Sequence, residues 1–228
     1  MLLNYNSQHK MEKGLAFGWR TAILHLAPYK LSSRNICPGA SKECVKACLN
    51  TSGRGQMGVV QKARLRKTEF FHRNRSGFLW QLSREIEQLK NRAKKSGYKF
   101  AVRLNGTSDL SFERFRLLDG QSLLDLHPDV QFYDYTKVYN RLTRDIKNYY
   151  LLFSYSGSNK QQCIQALSRG YNVAVVFKDQ LPTRHWNRPV ISGDIHDLRF
   201  RDAAGRAPRI IGLLAKGRAR KAQDSFVI

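Results

Sequence analysis

Acidic side chains are scarce. The 17 Asp and Glu stand against 40 Lys and Arg, which leaves a formal charge of +23 at pH 7. Such a surplus attracts polyanions without identifying one. Long apolar runs are absent: no window of about 18 apolar residues occurs, so no membrane span is expected. The opening residues, Met1-Leu2-Leu3-Asn4-Tyr5-Asn6, lack a basic segment followed by an apolar one. No signal peptide is therefore expected, and the expected location is cytoplasmic. Cysteine is sparse as well, at four in 228 residues, which excludes a dense secreted disulfide framework. What the chain does have is core material. Hydrophobic residues at 42% and aromatics at 11% exclude a disordered basic tail. The length suits one domain, no repeat or low-complexity linker divides it, and 1–228 reads as a single α/β unit.

Three of the four cysteines crowd together. Cys37, Cys44 and Cys48 form C-x6-C-x3-C inside a cysteine loop at 37–55. Thiolates are soft ligands suited to iron–sulfur clusters or zinc. Structural zinc wants four protein ligands in paired spacing, and neither His25 nor His72 supplies a pair. Three thiolates and no histidine favour a [4Fe–4S] cluster with one iron open to another ligand. Pro38-Gly39 allows the tight turn that aims backbone N–H groups at such a cluster. Zinc, or no metal and three small buried hydrophobes, are the other readings. Cys163 shares an apolar helical face with Ala166 and Leu167 and reads as core.

Along the chain, 1–20 reads as an extended lead-in and Thr21–Ala27 as a strand. Residues 59–73 carry a helical pattern. A second helix from Ser76, its expected N-cap, places Phe78, Leu79, Leu82, Ile86 and Leu89 on one face. Six further short β-branched or aromatic runs follow, at 99–104, 130–133, 149–153, 173–177, 189–191 and 209–214. Helical candidates lie between them at 111–118, 139–147 and 159–169. Ser111 and Asn159 are their expected caps. Strand–helix alternation implies a parallel sheet. About six to seven mostly parallel strands suit a partial (β/α) barrel, because a full eightfold barrel typically takes about 250 residues.

Parallel α/β folds build their sites at the carboxyl ends of strands. Those ends are polar here. They offer Asn105, Ser108 and Asp109, then Asp134 and Lys137, then Ser154 and Ser156, then Ser192, Asp194 and His196, and last Lys216. Together with the cysteine loop they would ring one rim and bind a small anionic or polar ligand over a redox centre. His196 is a candidate proton carrier or fourth cluster ligand. Each residue also has an ordinary explanation as a turn former or helix cap.

The segment Cys37-Pro38-Gly39-Ala40-Ser41…Cys44…Cys48-Leu49-Asn50-Thr51-Ser52-Gly53-Arg54-Gly55 resembles that of an uncharacterised bacteriophage family, the gene product eighty-eight type. Arg103–Asp109, Phe132–Lys137 and Ser192–Asp194 resemble its other blocks. The resemblance spans nearly the whole chain. It implies a phage-encoded protein at work in the cytoplasm of an infected bacterium. The layout is also similar to radical S-adenosylmethionine enzymes, which place three cysteines after the first strand of a partial barrel. That similarity implies Cys37, Cys44 and Cys48 as cluster ligands and S-adenosylmethionine as a candidate for the open iron. The spacing departs from the usual C-x3-C-x2-C, and no glycine-rich methionine-binding stretch of the usual form follows the third strand.

Two functions compete. One is an iron–sulfur protein in redox or small-molecule chemistry, with enzyme activity left open. The other is a basic nucleic-acid-binding protein with structural zinc or no metal. The second rests on the total charge, on the basic stretch 54–75 and on the tail Arg201, Arg206, Arg209, Lys216, Arg218, Arg220 and Lys221. Lys46 and Arg54 are the expected local counter-charges for an anionic cluster.

Overall fold

The computed structural model describes residues 1–5, 9–117, 119–143, 145–203 and 207–228. The chain runs β1 (Leu3–Tyr5), α1 (His9–Leu15), β2 (Trp19–Leu24), α2 (Lys42–Lys46), α3 (Gly58–Arg73), α4 (Arg75–Lys95), β3 (Lys99–Arg103), α5 (Leu123–Leu126) and β4 (Gln131–Thr136). It continues with β5 (Tyr149–Ser154), α6 (Lys160–Ser168), β6 (Val173–Phe177), β7 (Arg184–His185), β8 (Arg188–Ser192) and β9 (Ile210–Leu214).

The strands form one mixed sheet in the order β1-β2-β3-β4-β5-β6-β9-β8-β7. From β2 to β8 every neighbouring pair is parallel. The seven apolar runs of the sequence are these seven parallel strands. β1 and β7 join the two ends antiparallel and are too short to leave a periodic signal. The sheet is open, with β1 and β7 as its edges. Among the described residues no helix is long and apolar enough to cross a membrane.

The sheet has two different faces because strand side chains alternate. Phe100, Val102, Phe132, Leu151, Phe153, Val173, Val175 and Phe177 point to one face. There they share the main core with Phe71 of α3, Phe78, Leu82 and Ile86 of α4, and Cys163 of α6. Leu152, Ala174 and Ile211 point the other way and pack with Tyr135, Tyr150 and Leu213. Cys163 is fully buried among the core residues, as its helical position implied.

Several expectations need correction. The 1–20 lead-in is not extended: it holds β1 and α1, although residues 6–8 lie outside the described set. Leu2 and Leu3 are held because their amides donate to the buried Glu85 carboxylate at 2.7 to 2.9 Å. The cap of α4 is Asn74, whose side chain accepts the Gly77 amide, so the helix begins before Ser76. The 111–118 candidate is one 3-10 turn, Phe112–Arg114. Phe112 and Phe115, three apart, stack against each other and on Phe71, which suits that tighter turn. Ser111 makes no side-chain cap there. The 139–147 candidate is also one turn, Tyr139–Arg141. It stops because the Thr143 hydroxyl takes the Asp145 amide, a bond that competes with helix continuation. Leu118 and Arg144 lie outside the described residues. The 159–169 candidate is α6, although Asn159 uses its side chain on Ser156 and Ser154 and not as a cap.

Candidate functional site

The cysteine loop is pinned at several points. Cys37 Sγ accepts the Tyr29 amide at 3.3 Å and lies 3.8 Å from the Thr107 carbonyl. Ser41 caps α2 by accepting the Cys44 amide at 3.1 Å, and its hydroxyl donates to the Ser156 carbonyl. Cys48 Sγ accepts the Asn50 amide at 3.5 Å. Asn50 in turn is gripped by Gln61 at 3.0 Å and by the Arg64 guanidinium of α3. Gly39 rests directly on Lys137. A Cβ at Gly39 would stand 2.7 Å from the Lys137 carbonyl carbon, so this close approach requires glycine.

All three loop cysteines line one cavity of about 340 Å³ at the carboxyl ends of the parallel strands. Its floor is the sheet face opposite α3, α4 and α6, with Arg103, Tyr135, Ser154, Ala174, Val176 and Leu213. Of the expected rim residues, Asn105, Ser108, Asp109, Lys137, Ser154, Asp194 and Lys216 line it too. Asp134, Ser156, Ser192 and His196 do not.

Strand parity explains the most informative of these exceptions. β4 runs on through Thr136, so Asp134 shares the core face with Phe132 and Tyr135 takes the cavity face. Asp134 accepts the Asn105 amide and side chain at 2.7 and 3.0 Å and the Tyr149 hydroxyl at 2.9 Å. It therefore braces the turn after β3. Ser156 meets the cysteine loop only through its carbonyl. Ser192 Oγ accepts the Asp194 amide. His196 packs edge-on to Phe17 and beside Arg199, away from the cysteines. Burial and the Arg199 charge lower its pKa.

The electrostatics concentrate on Lys137. Its amide donates to Asp109 Oδ2 at 2.8 Å, and Asp109 is itself held by Arg141, whose fork also grips Glu113 at 3.0 Å. Among the described residues the Lys137 ammonium has no hydrogen-bonding acceptor. Burial opposes its charge, but Cys44, Asp109, Cys37 and Cys48 outweigh burial and raise its pKa. Burial pushes the Cys37 thiol up to about 11 and raises Cys48 as well. Arg64, whose own pKa is lowered by burial, is the second cation felt at Cys48. These two replace the expected counter-charges, because Lys46 and Arg54 are exposed and line no part of this cavity.

Sequence reading passed over Arg103, Tyr135 and Arg64. The alternation Phe100-Ala101-Val102-Arg103 carried the signal for Arg103. Its NH1 bonds Asp197 Oδ2 at 3.0 Å, and its carbon lies 4.5 Å from the Tyr135 ring centre. The Tyr135 hydroxyl also donates to Asp197, at 3.2 Å. The basic stretch 54–75 divides in the same way: Lys62, Arg66 and Arg73 face solvent on α3 while Arg64 turns inward. The tail residue Arg206 lies outside the described set.

Among the described residues no three His, Cys, Asp or Glu side chains are grouped so as to hold a metal ion. The cysteines surround the cavity and do not converge on one point.

Fold and site together define a mixed α/β protein with a thiol-lined cavity at the carboxyl ends of a parallel sheet. The family described as Gene product 88 matches residues 2–228, and the chain belongs to it. No curated protein and no solved structure matches the chain.

Proposed function

We propose that this protein holds a [4Fe–4S] cluster through Cys37, Cys44 and Cys48, with one iron open to a small anionic or polar ligand. The carrying observation is that three cysteines spread over twelve residues line one cavity beside an ammonium that lacks an acceptor. The thiols stand around the cavity. That arrangement suits a multi-iron cluster better than a single zinc, whose ligands all lie within about 2.3 Å of one ion. Backbone N–H groups already reach the Cys37 and Cys48 sulfurs, a device that tunes clusters. Lys137 and Arg64 offset the negative charge of three thiolates. A bound cluster supplies one-electron transfer and an open Lewis-acid iron. The residues of the chain itself bind and orient the ligand and keep water out.

The sequential parallel order β2 to β6, with α3, α4 and α6 together on one face, supports a partial (β/α) barrel similar to that of radical S-adenosylmethionine enzymes. S-adenosylmethionine is the ligand that this similarity implies for the open iron. The setting is the cytoplasm of a phage-infected bacterium.

The test is anaerobic reconstitution of the full chain with iron and sulfide, followed by an electron paramagnetic resonance spectrum. About four iron and four sulfide per chain are expected, with broad absorbance near roughly 400 nm. Cys44→Ala is expected to lose most of both. A wild-type chain that binds iron without sulfide, or a Cys44→Ala chain that keeps the full complement, overturns the reading.

A further inference from the structure

The cavity also holds a cationic side chain with unused donors, on its sheet floor. Arg103 ends β3 on the face opposite α3, α4 and α6 and lines the cavity. Asp197 takes its NH1, and the Tyr135 ring lies beneath the guanidinium, so the fork is fixed in orientation. That ion pair is nearly buried, with side-chain exposures of 13% for Arg103 and 5% for Asp197. Arginine has five N–H donors. Among the described residues the bond to Asp197 is the only hydrogen bond this guanidinium makes, and its Nε is buried without a partner. The Nε is closed off, so the donors left for an acceptor brought from outside are those of the two terminal nitrogens.

The rest of the cavity says what carries that acceptor. Between Arg103 and the opening the walls are Val176, Leu213, Tyr155 and Phe226, with half-exposed Leu31 and Leu49 also lining it. A volume of about 340 Å³ is the size of a small organic molecule. Two ammoniums also line the cavity: Asp194 holds that of Lys216 at 2.5 Å, and that of Lys137 sits among the three thiols and Asp109.

We infer that the cavity is a binding site for an organic oxyanion with an apolar body, its carboxylate or phosphate head held by the fixed fork of Arg103. The planar fork matches both head groups. The inference deepens the proposed function by naming the ligand class of the same cavity. It does not need the cluster, so the two fail separately.

The experiment measures fluorescence binding of anilinonaphthalene sulfonate and of uncharged phenylnaphthylamine to the full chain, before and after cluster loading. The anionic probe is expected to bind about tenfold more tightly than the neutral one. Arg103→Gln is expected to remove most of that difference, and Lys137→Met less of it, while the neutral probe still binds, which also shows that the cavity has survived. Arg103→Lys keeps a positive charge near Asp197 but loses the fork, and is expected to recover only part of the difference. Arg66→Gln, on the solvent side of α3, is the control for the general positive field and is expected to change neither probe. Naphthoate and naphthyl phosphate, as competitors, distinguish the two head groups by which displaces the probe at lower concentration. Equal affinity for both probes, or equal losses in Arg103→Gln and Arg66→Gln, overturns the inference. If those results appear in a chain that loads its cluster normally, the proposed function stands without it.

Discussion

Gly39→Ala is the most economical test of the link between the cysteine loop and the sheet. The added methyl would lie 2.7 Å from the Lys137 carbonyl carbon and 2.8 Å from its oxygen and Cβ. Those atoms cannot swing aside, because the Lys137 amide is tied to Asp109 at 2.8 Å. Ordinary contact begins at 3.4 Å, so the loop must retreat by roughly 0.7 Å, within the range over which overpacked sites respond. The expected cost is about 1 to 3 kcal/mol. The retreat also carries Cys37, two residues away, off its place beside Tyr29 and Thr107. Gly58→Ala is the matched control. Nothing lies within 4 Å of its added methyl, at the first residue of α3. A gain of about 0.5 to 1 kcal/mol is expected there, as for glycine to alanine in a helix. Urea unfolding with an unchanged m-value reads the stability. Iron and sulfide content after reconstitution reads the site. A Gly39→Ala chain that unfolds at the wild-type urea concentration and loads as much iron would refute the packing argument and, with it, the coupling of loop to sheet.

Lys137→Met removes the cation that faces the three thiols. At about 6 to 8 Å and an effective dielectric near 20, its attraction for an added electron is about 2 to 3 kcal/mol, or roughly 100 mV. The midpoint potential of the loaded protein is expected to fall by that order in a redox titration and to recover in Lys137→Arg; an unchanged potential argues that Lys137 is only a packing residue. Asp134 gives a pH prediction. Burial raises its carboxyl from 3.8 to about 6, so the folded chain keeps a proton that the unfolded chain releases between those values. Stability from this group is complete below pH 3.8 and is lost as the pH rises through 6. Relative to Asp134→Asn, the wild-type chain is expected to lose about 2.4 kcal/mol between pH 4 and 7 in urea melts. Parallel melts across that range would exclude the raised carboxyl.

Seven parallel strands were legible because each is a short apolar run ending in polar residues. What the runs did not announce was where each strand stops. Ending β4 at Tyr133 made Asp134 look like a rim residue. Three more residues of strand, to Thr136, put its carboxylate under the turn and Tyr135 over the cavity. The same alternation places Arg103 in the cavity, although it looks like one charge among forty. Arg141 and Thr143 suggested helix by composition. Their side-chain bonds to Asp109, Glu113 and Asp145 took the segment instead. Long-range partners of this kind leave no periodic trace. Glu85 holding β1 is another case.

A parallel sheet needs cover on both faces. Right-handed crossovers between sequential neighbours fall on one side, so α3, α4 and α6 all pack against the same face. The opposite face is left to α1, to the short turn Arg199–Ala203 and to loops. Asp197 and Arg199 lie buried on it, and the cysteine loop and Phe226 close over the strand ends. Loop backbone carries polar groups that a fully apolar core would strand, so a gap at the strand ends is the expected result. β9 slips between β6 and β8 and brings Leu213 and Lys216 to that gap. The winding thus accounts for where the cavity lies, and it separates the cysteines by role. Cys163 is fully buried on the helix side, as a core cysteine should be. Cys37, Cys44 and Cys48 are only half-buried and face the gap. Reading them as small core hydrophobes fits Cys163, fits Cys37 in part through its packing on the core, and fits Cys44 and Cys48 least.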